Sequence, residues 1–464
     1  MNIFIALVTG VCAVAAMLGN FPDVLPADTQ WPVRLCAILS CVLAAPTLAA
    51  FQTWWVVGKL ATQHDDRAAQ NRIFKRIVVS HGLVWAVTSV AVFTVMGWPN
   101  LVTSTFQLQP LIVICELTLL APLLLSMVLS WTVFYDIQAV VHMPDEPWAP
   151  RLRKRLDYVE IRLRMILMMI VAPALLLMLT IRYSEWMEHL TMGQTVASAA
   201  FVSLTVLCVF PWIVTRLWKT GRIDDPQLDQ KLMSICKHAN IGVRQIKTWK
   251  TGYQMANAAV TGLLPGTRVI LLSDLLLKQF EPEEVEAIVR HEAGHVRLKH
   301  LPLKMMFIVV PMLVLLIDRT SATGVTSRLA EVLSNSGGAL AGEHAAHLIA
   351  IGFAFYLLVV LRWLSHKMEF EADLFAATDL GNASSGHCVD QTRAALWRLA
   401  VLSPDQFRKR TLMHPSIKDR ILFIEKIAND PALADVYRRA FSRRKWIVMA
   451  LWGVVLLLPL FLVS

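Results

Sequence analysis

His291-Glu292-Ala293-Gly294-His295 sets two imidazoles and a carboxylate at a spacing that suits metal-assisted hydrolysis. On a helix, residues four apart project from one face, one turn above the other, so both rings can reach a single ion. Zinc takes histidine nitrogen readily, and in hydrolases it keeps one position open for water. Glu292 sits beside the first histidine, where a general base acting on that water must be. A pattern this short recurs by chance, and a solvated helix with two histidines is the plain alternative. The surroundings decide between them.

Upstream, Glu281-Pro282-Glu283-Glu284 reads as a helix start, with proline at the first position and acids at the positive end of the dipole. Val285, Ile288 and Val289 supply an apolar face, and Arg297, Lys299 and His300 gather at the far end. A helix this charged does not lie inside a bilayer, which argues against an intramembrane protease.

A hydrolytic zinc site normally has three protein ligands. The tight spacing that would bring a third histidine falls on Leu301, so the ligand comes from elsewhere. Ser365 to Asp373 reads as helical, with Glu369 and Asp373 on one face at i and i+4 and Glu371 turned away. Glu369 is the expected third ligand. Asp373, one turn on, is the expected acceptor for the outer ring N–H of a ligating histidine. The alternative is a charged helix end at a membrane surface. Glu343-His344-Ala345-Ala346-His347 carries its glutamate outside the first histidine and across an apolar hairpin, and is expected to be a decoy.

The elements that must position these groups belong to a membrane protein. Of 464 residues, 56% are hydrophobic and only 17% charged, far from soluble averages. Apolar runs of spanning length occur at 3–19, 35–57, 77–98, 111–135, 165–181, 196–214 and 446–463, with two shorter ones at 305–317 and 345–361. The net charge of +10 sits in loops between them and calls for no nucleic-acid partner. Seven cysteines form no CxxC pair and read as small buried side chains. Basic residues crowd the loops before 77 and before 165, while the 99–109 connection has no charge, so the HExxH helix is expected on the cytoplasmic side. Glu116, inside the fourth run, is an intramembrane carboxyl that could serve function or pair with His81.

The expected fold class is predominantly α: a polytopic transmembrane bundle with a small α+β zincin-like domain on the cytoplasmic side. The expected divisions are 1–218 for the membrane region, 219–302 for the first part of the zincin-like domain, 303–364 for the hairpin, 365–444 for the second part, and 445–464 for a last span. Within 219–302, Pro226–His238 suits an amphipathic helix, and 243–249, 254–259 and 268–272 read as strands.

Taken together, HExGH, a two-helix hairpin and S-x-x-x-E-F-x-A-D resemble the integral-membrane gluzincins of the HtpX heat-shock protease and CAAX prenyl protease type. Asn257-Ala258 through Gly262 (NAAVTG) resembles that family's N-A-x-x-x-G segment. His414-Pro415-Ser416-Ile417 through Arg420-Ile421 resembles its H-P-S/P-x-x-x-R-I segment. His366 departs from the arginine common there. The resemblance covers roughly 219–424. It implies one zinc ion per chain on His291, His295 and Glu369, with Glu292 as base. Asn257 and Ala258 would lie on an edge strand that pairs with an extended substrate, against an ordinary strand asparagine. His414 or Arg420 would stabilise the oxyanion, or His414 would take the fourth metal position in a resting form. A capping His-Pro with a structural arginine is the bland reading of that pair.

The expected activity is therefore zinc-dependent endopeptidase cleavage of membrane-associated or misfolded proteins at the cytoplasmic face of a multi-pass membrane protein. A CAAX-type prenyl-protein endopeptidase and a membrane signal sensor-transducer are the alternatives. The partners implied are a protein or peptide substrate and the lipid bilayer.

Overall fold

The computed structural model describes residues 30–62, 67–142, 152–167, 194, 212–253, 255–304, 306–307, 345–378 and 386–462. The chain divides into two compact units, Met1–Thr195 and Val196–Ser464.

The first unit contains helices α1 (Trp31–Thr62), α2 (Arg67–Thr94), α3 (Ile112–His142) and α4 (Leu152–Ile166). Within them Trp31–Val57, Arg76–Thr94 and Val113–Ile137 are long and apolar enough to cross a membrane. They coincide with the expected runs at 35–57, 77–98 and 111–135. The run at 3–19, and nearly all of those at 165–181, 196–214 and 305–317, lie outside the described residues. Lipid offers no hydrophobic drive between helices, so packing and interhelical hydrogen bonds must hold the bundle. Ile38, Val42, Trp85, Leu119 and Leu123 interlock in its centre. His81 Nε2 lies 2.8 Å from Ser130 Oγ, and Gln52 Nε2 donates to Ser80 Oγ at 2.8 Å. Glu116 is buried in the same bundle.

The second unit begins with β1 (Thr220–Gly221) and α5 (Pro226–His238). Asp225 caps α5 by accepting from the backbone N–H groups of Gln227 and Leu228, which is why the helix starts there. Strands β2 (Gln245–Trp249), β3 (Ala258–Thr261) and β4 (Val269–Ser273) complete a four-stranded sheet in the order β1-β2-β4-β3. β4 is parallel to β2 and antiparallel to β3, with Ile270 opposite both Ile246 and Val260. Its Val-Ile-Leu-Leu-Ser run is buried throughout, as an inner strand covered on both faces must be. β3 lies at one edge.

The middle strand starts four residues later than the sequence pattern expects. Asp274 accepts from the Thr251 hydroxyl at 2.5 Å and from the backbone N–H groups of Gly252 and Tyr253 at 2.9 and 3.2 Å. Gly252 and Tyr253 both take positive φ. A carboxylate some twenty residues away thus fixes the turn that precedes the strand.

A short helix α6 (Asp274–Gln279) leads to α7 (Pro282–Arg297), which carries both histidines. Glu281 and Glu284 close a reciprocal capping box at its start, with Glu281 N–H donating to Glu284 Oε2 at 3.0 Å. Arg398 holds the same Glu284 carboxylate at 3.0 Å. Val285 and Val289 bury the apolar face of α7 in a core with Leu232, Ile270, Leu272 and Phe375. Then follow α8 (Ala345–Ala377), α9 (Gly386–Leu402), α10 (Ile417–Asn429) and α11 (Ala432–Leu462). α8 is one unbroken helix of 33 residues. Its first half holds the apolar run at 345–361, and its second half delivers Glu369. The last expected run, 446–463, falls in α11.

α7 and α8 meet at Gly294. A Cβ added there would lie 3.2 Å from Ala372 Cα and 3.2 Å from Phe375 Cβ. The absent side chain sets how near Glu369 comes to the histidines. Gly294→Val is expected to cost about 1–3 kcal/mol by overpacking and to weaken metal retention along with it. Thermal unfolding and metal content of the purified variant check this, and wild-type values in both would show that the approach is not tight.

Candidate metal centre

His291 and His295 stand one turn apart on α7 with their Nε2 atoms converging at 3.1 Å. Glu369 enters from α8, its Oε1 3.4 Å from His295 Nε2 and its Oε2 3.6 Å from His291 Nε2. Three such donors around one zinc ion at ~2.0–2.2 Å would be separated by roughly 3.2–3.6 Å in tetrahedral geometry. The shortest separations, 3.1 to 3.6 Å, lie close to that spacing, with each histidine facing a different oxygen of the carboxylate. Among the described residues these three form the one cluster whose ligand atoms all lie within 4.8 Å of one another. Glu369 is 2% exposed, and its Oε2 has no well-aligned hydrogen-bond donor.

Burial would raise the Glu369 carboxyl, but His414, His291 and His295 around it hold it well below the usual carboxylate range. Burial would likewise lower the His291 imidazole, yet its contacts with Asp373 and Glu369 prevail and lift it to about 9. Two imidazoles and a buried carboxylate thus meet at one point, the kind of donor set a divalent ion would complete. Glu292, half-buried on the same helix as the histidines, is placed beside it.

Residues 222–428 match the family model described as Peptidase family M48. The chain carries an M48 metallopeptidase domain. Relatives include the protease HtpX of Stutzerimonas stutzeri, 26% identical over 47% of this chain and 81% of that protein. A protease HtpX homologue of Polaromonas naphthalenivorans is 26% identical over 45% of this chain and 76% of its own length. A crystal structure of S. mikatae Ste24p overlays with a TM-score of 0.44 and 16% identity, covering 85% of this chain and 99% of that one, too loose a likeness to argue from. With its apolar helices, the protein is a membrane metalloprotease.

In the M48 domain the remaining sequence candidates fall on distinct sides of the cluster. Asp373 Oδ1 lies 2.9 Å from His291 Nδ1, the outer nitrogen of that ring. Arg420, from α10, grips the same carboxylate through both arms of its guanidinium, Nε to Oδ2 at 2.8 Å and a terminal nitrogen to Oδ1 at 2.6 Å. Burial would raise Asp373, but Arg420 and His291 bring its carboxyl down. Arg420 also lies 3.6 Å from Glu369 Oε2. It sits mainly behind the ligands. His414 is different: its side chain is 55% exposed and its Nδ1 is 3.0 Å from Glu369 Oε2, on the rim of the cluster. Ser416, two residues on, caps α10 by accepting from Asp419 N–H at 3.1 Å. The capping role in the His-Pro-Ser segment therefore belongs to the serine, and the histidine side chain turns to Glu369 instead.

Asn257 is exposed immediately before the edge strand β3, and its Oδ1 accepts from Ala258 N–H at 3.0 Å. β3 packs against α7. Gly262, which ends it, takes φ +97°, and a Cβ there would meet Thr267 O at 2.5 Å, so the last position of NAAVTG requires glycine. His366 Nε2 bonds the Thr411 carbonyl at 2.9 Å, apart from the cluster, and steadies the strand of loop that carries His414.

Sequence reasoning passed over a further set. His300, five residues after His295 and 1% exposed, places Nδ1 2.8 Å from His295 Nδ1. Its Nε2 is 2.9 Å from Glu371 Oε2, and Lys445 Nζ is 2.6 Å from the same oxygen. Burial, with Lys445 and Lys304 nearby, presses the His300 imidazole well below its ordinary value. The available signal was Glu371 itself, an acid on the face of the helix turned away from Glu369 and Asp373 yet set between Phe370 and Ala372.

Proposed function

We propose that the protein is a zinc-dependent endopeptidase that cleaves membrane-associated or misfolded proteins at the cytoplasmic face, with one zinc ion per chain. The observation that carries this is the convergence of His291, His295 and the buried Glu369 carboxylate within 4.8 Å. Two imidazoles and one carboxylate with an open side are the donor set of hydrolytic zinc. When bound, the ion would polarise the scissile carbonyl and acidify the attacking water. Glu292 takes the proton from that water and delivers it to the leaving amine. His414, exposed at the rim where a carbonyl would approach, donates to the oxyanion; a few kcal/mol come from such a donor. Arg420 holds Asp373, and Asp373 fixes the ring of His291. The free edge of β3, led by Asn257 and Ala258, supports an extended peptide by strand addition. The relatives named as HtpX proteases, together with the basic loops on one side of the spans, support the choice of substrate class and face.

Metal analysis and cleavage of an unfolded model protein by the purified full-length chain test the reading. Wild type is expected to carry one zinc and to lose activity to a chelator, with recovery on added zinc. Glu369→Ala is expected to lose the metal and all measurable cleavage. Retention of stoichiometric zinc by Glu369→Ala would remove Glu369 from the ligand set, and cleavage indifferent to chelation would sink the mechanism.

A further inference from the structure

The geometry points to Lys445, Glu371 and His300 as a positioning chain that fixes the tautomer and ring orientation of His295 from the foot of the last apolar helix. The inference rests on the reading of His295 as a metal ligand through Nε2. All of its contacts are within the second unit.

With Nε2 turned to the metal, His295 must carry its proton on Nδ1, and that N–H needs an acceptor. The nearest is His300 Nδ1 at 2.8 Å. A neutral histidine has one donor and one acceptor nitrogen, so accepting at Nδ1 forces the proton of His300 onto Nε2. There it points at Glu371 Oε2, 2.9 Å away. Glu371 also accepts from the Lys445 ammonium at 2.6 Å. Every donor in the series then runs one way, from Lys445 and His300 into Glu371, and from His295 into His300. A carboxylate at 371 is the group that sets this direction, because it accepts only. An amide or a protonated acid there could donate to His300, reverse its tautomer, and leave two N–H groups facing each other at His295.

Lys445 does two things at once. Its Nζ also donates to the carbonyl of Leu298 at 3.3 Å, and Leu298 is the C-cap of α7. The ammonium therefore pins both the carboxylate at the root of the chain and the end of the helix that bears the histidines. It stands at the head of the 446–463 apolar run, so the way α11 is seated reaches His295 through three side chains. His291 has a separate support in Asp373 and Arg420. Each imidazole of the pair is held by its own carboxylate and its own cation, one from α10 and one from α11.

The test uses the full-length protein in detergent, loaded with cobalt(II), whose visible spectrum reports ligand geometry, and follows metal release to an excess of chelator. Loss of an outer partner of a ligating histidine costs roughly 10–100-fold in metal affinity. Glu371→Gln is expected to speed release about tenfold or more and to alter the cobalt spectrum. Lys445→Met should do the same to a smaller degree, and Lys445→Arg, which restores a cation, should return release toward wild type. Lys445 is 21% exposed at its side chain, so its variants keep the test readable should Glu371→Gln fail to fold. Wild-type release and spectrum in both Glu371→Gln and Lys445→Met, with His295→Ala losing cobalt, overturn the chain alone. Cobalt held by His295→Ala as firmly as by wild type overturns the ligand assignment and the chain with it.

Discussion

Glu292→Gln is expected to keep its metal and to lose peptide hydrolysis by about 10³-fold, the usual scale for removal of a general base. The substitution preserves shape and removes only the capacity to take a proton. His291, His295 and Glu369 keep their mutual distances of 3.1 to 3.6 Å, since none of these contacts involves Glu292. The loss should appear in kcat with little change in KM, because the carboxylate acts on the water and the leaving amine rather than on the bound peptide chain. Zinc content measured beside cleavage of an unfolded protein separates this from simple loss of the ion. A Glu292→Gln protein that cleaves at the wild-type rate would show that another group is the base.

Arg420→Met is expected to be among the most destabilising single changes in the second unit. Its guanidinium is 11% exposed and the Asp373 carboxylate it grips 1% exposed. Removing one member of such a buried pair leaves the other charge without compensation, at about 3–5 kcal/mol. For a unit of this size that corresponds to a fall on the order of 10 °C in the midpoint of thermal unfolding. Metal release should accelerate too, since Asp373 orients His291 at 2.9 Å. Arg420→Lys should recover only part of the loss, because an ammonium cannot make the two-armed contact. A midpoint within a degree or two of wild type would mean that water reaches Asp373 and that the pair is not truly buried. A large drop in cleavage with unchanged stability would return Arg420 to a direct role at the oxyanion.

The membrane segments illustrate what composition can settle. A run of some twenty apolar residues is long enough for one helical crossing whatever its neighbours do, so 35–57, 77–98 and 111–135 are legible from residue types alone. The helix starts at Asp225 and Glu281 are equally local, since a cap is made by residues within three positions. The strand at 254–259 is not local. The turn that leads into it, Thr251 to Tyr253, is bound by Asp274, and no window of a few residues contains both.

The sequence by itself determined the chemistry available to this protein: two histidines one turn apart with a carboxylate between them, a second acidic helix with Glu369 and Asp373 on one face, and a membrane context. Helical periodicity and side-chain donor type suffice for that much. Tertiary structure alone decided how those groups are divided. It turns Arg420 onto Asp373 behind His291 and leaves His414 at the rim, and it joins His300, Glu371 and Lys445 behind His295. The reason is one of distance along the chain. Apart from His300 and His295, five residues apart, these partners lie 45 residues or more from one another, and which face of α8 meets α7, α10 or α11 follows from the packing at Gly294 and its neighbours rather than from any spacing within one element.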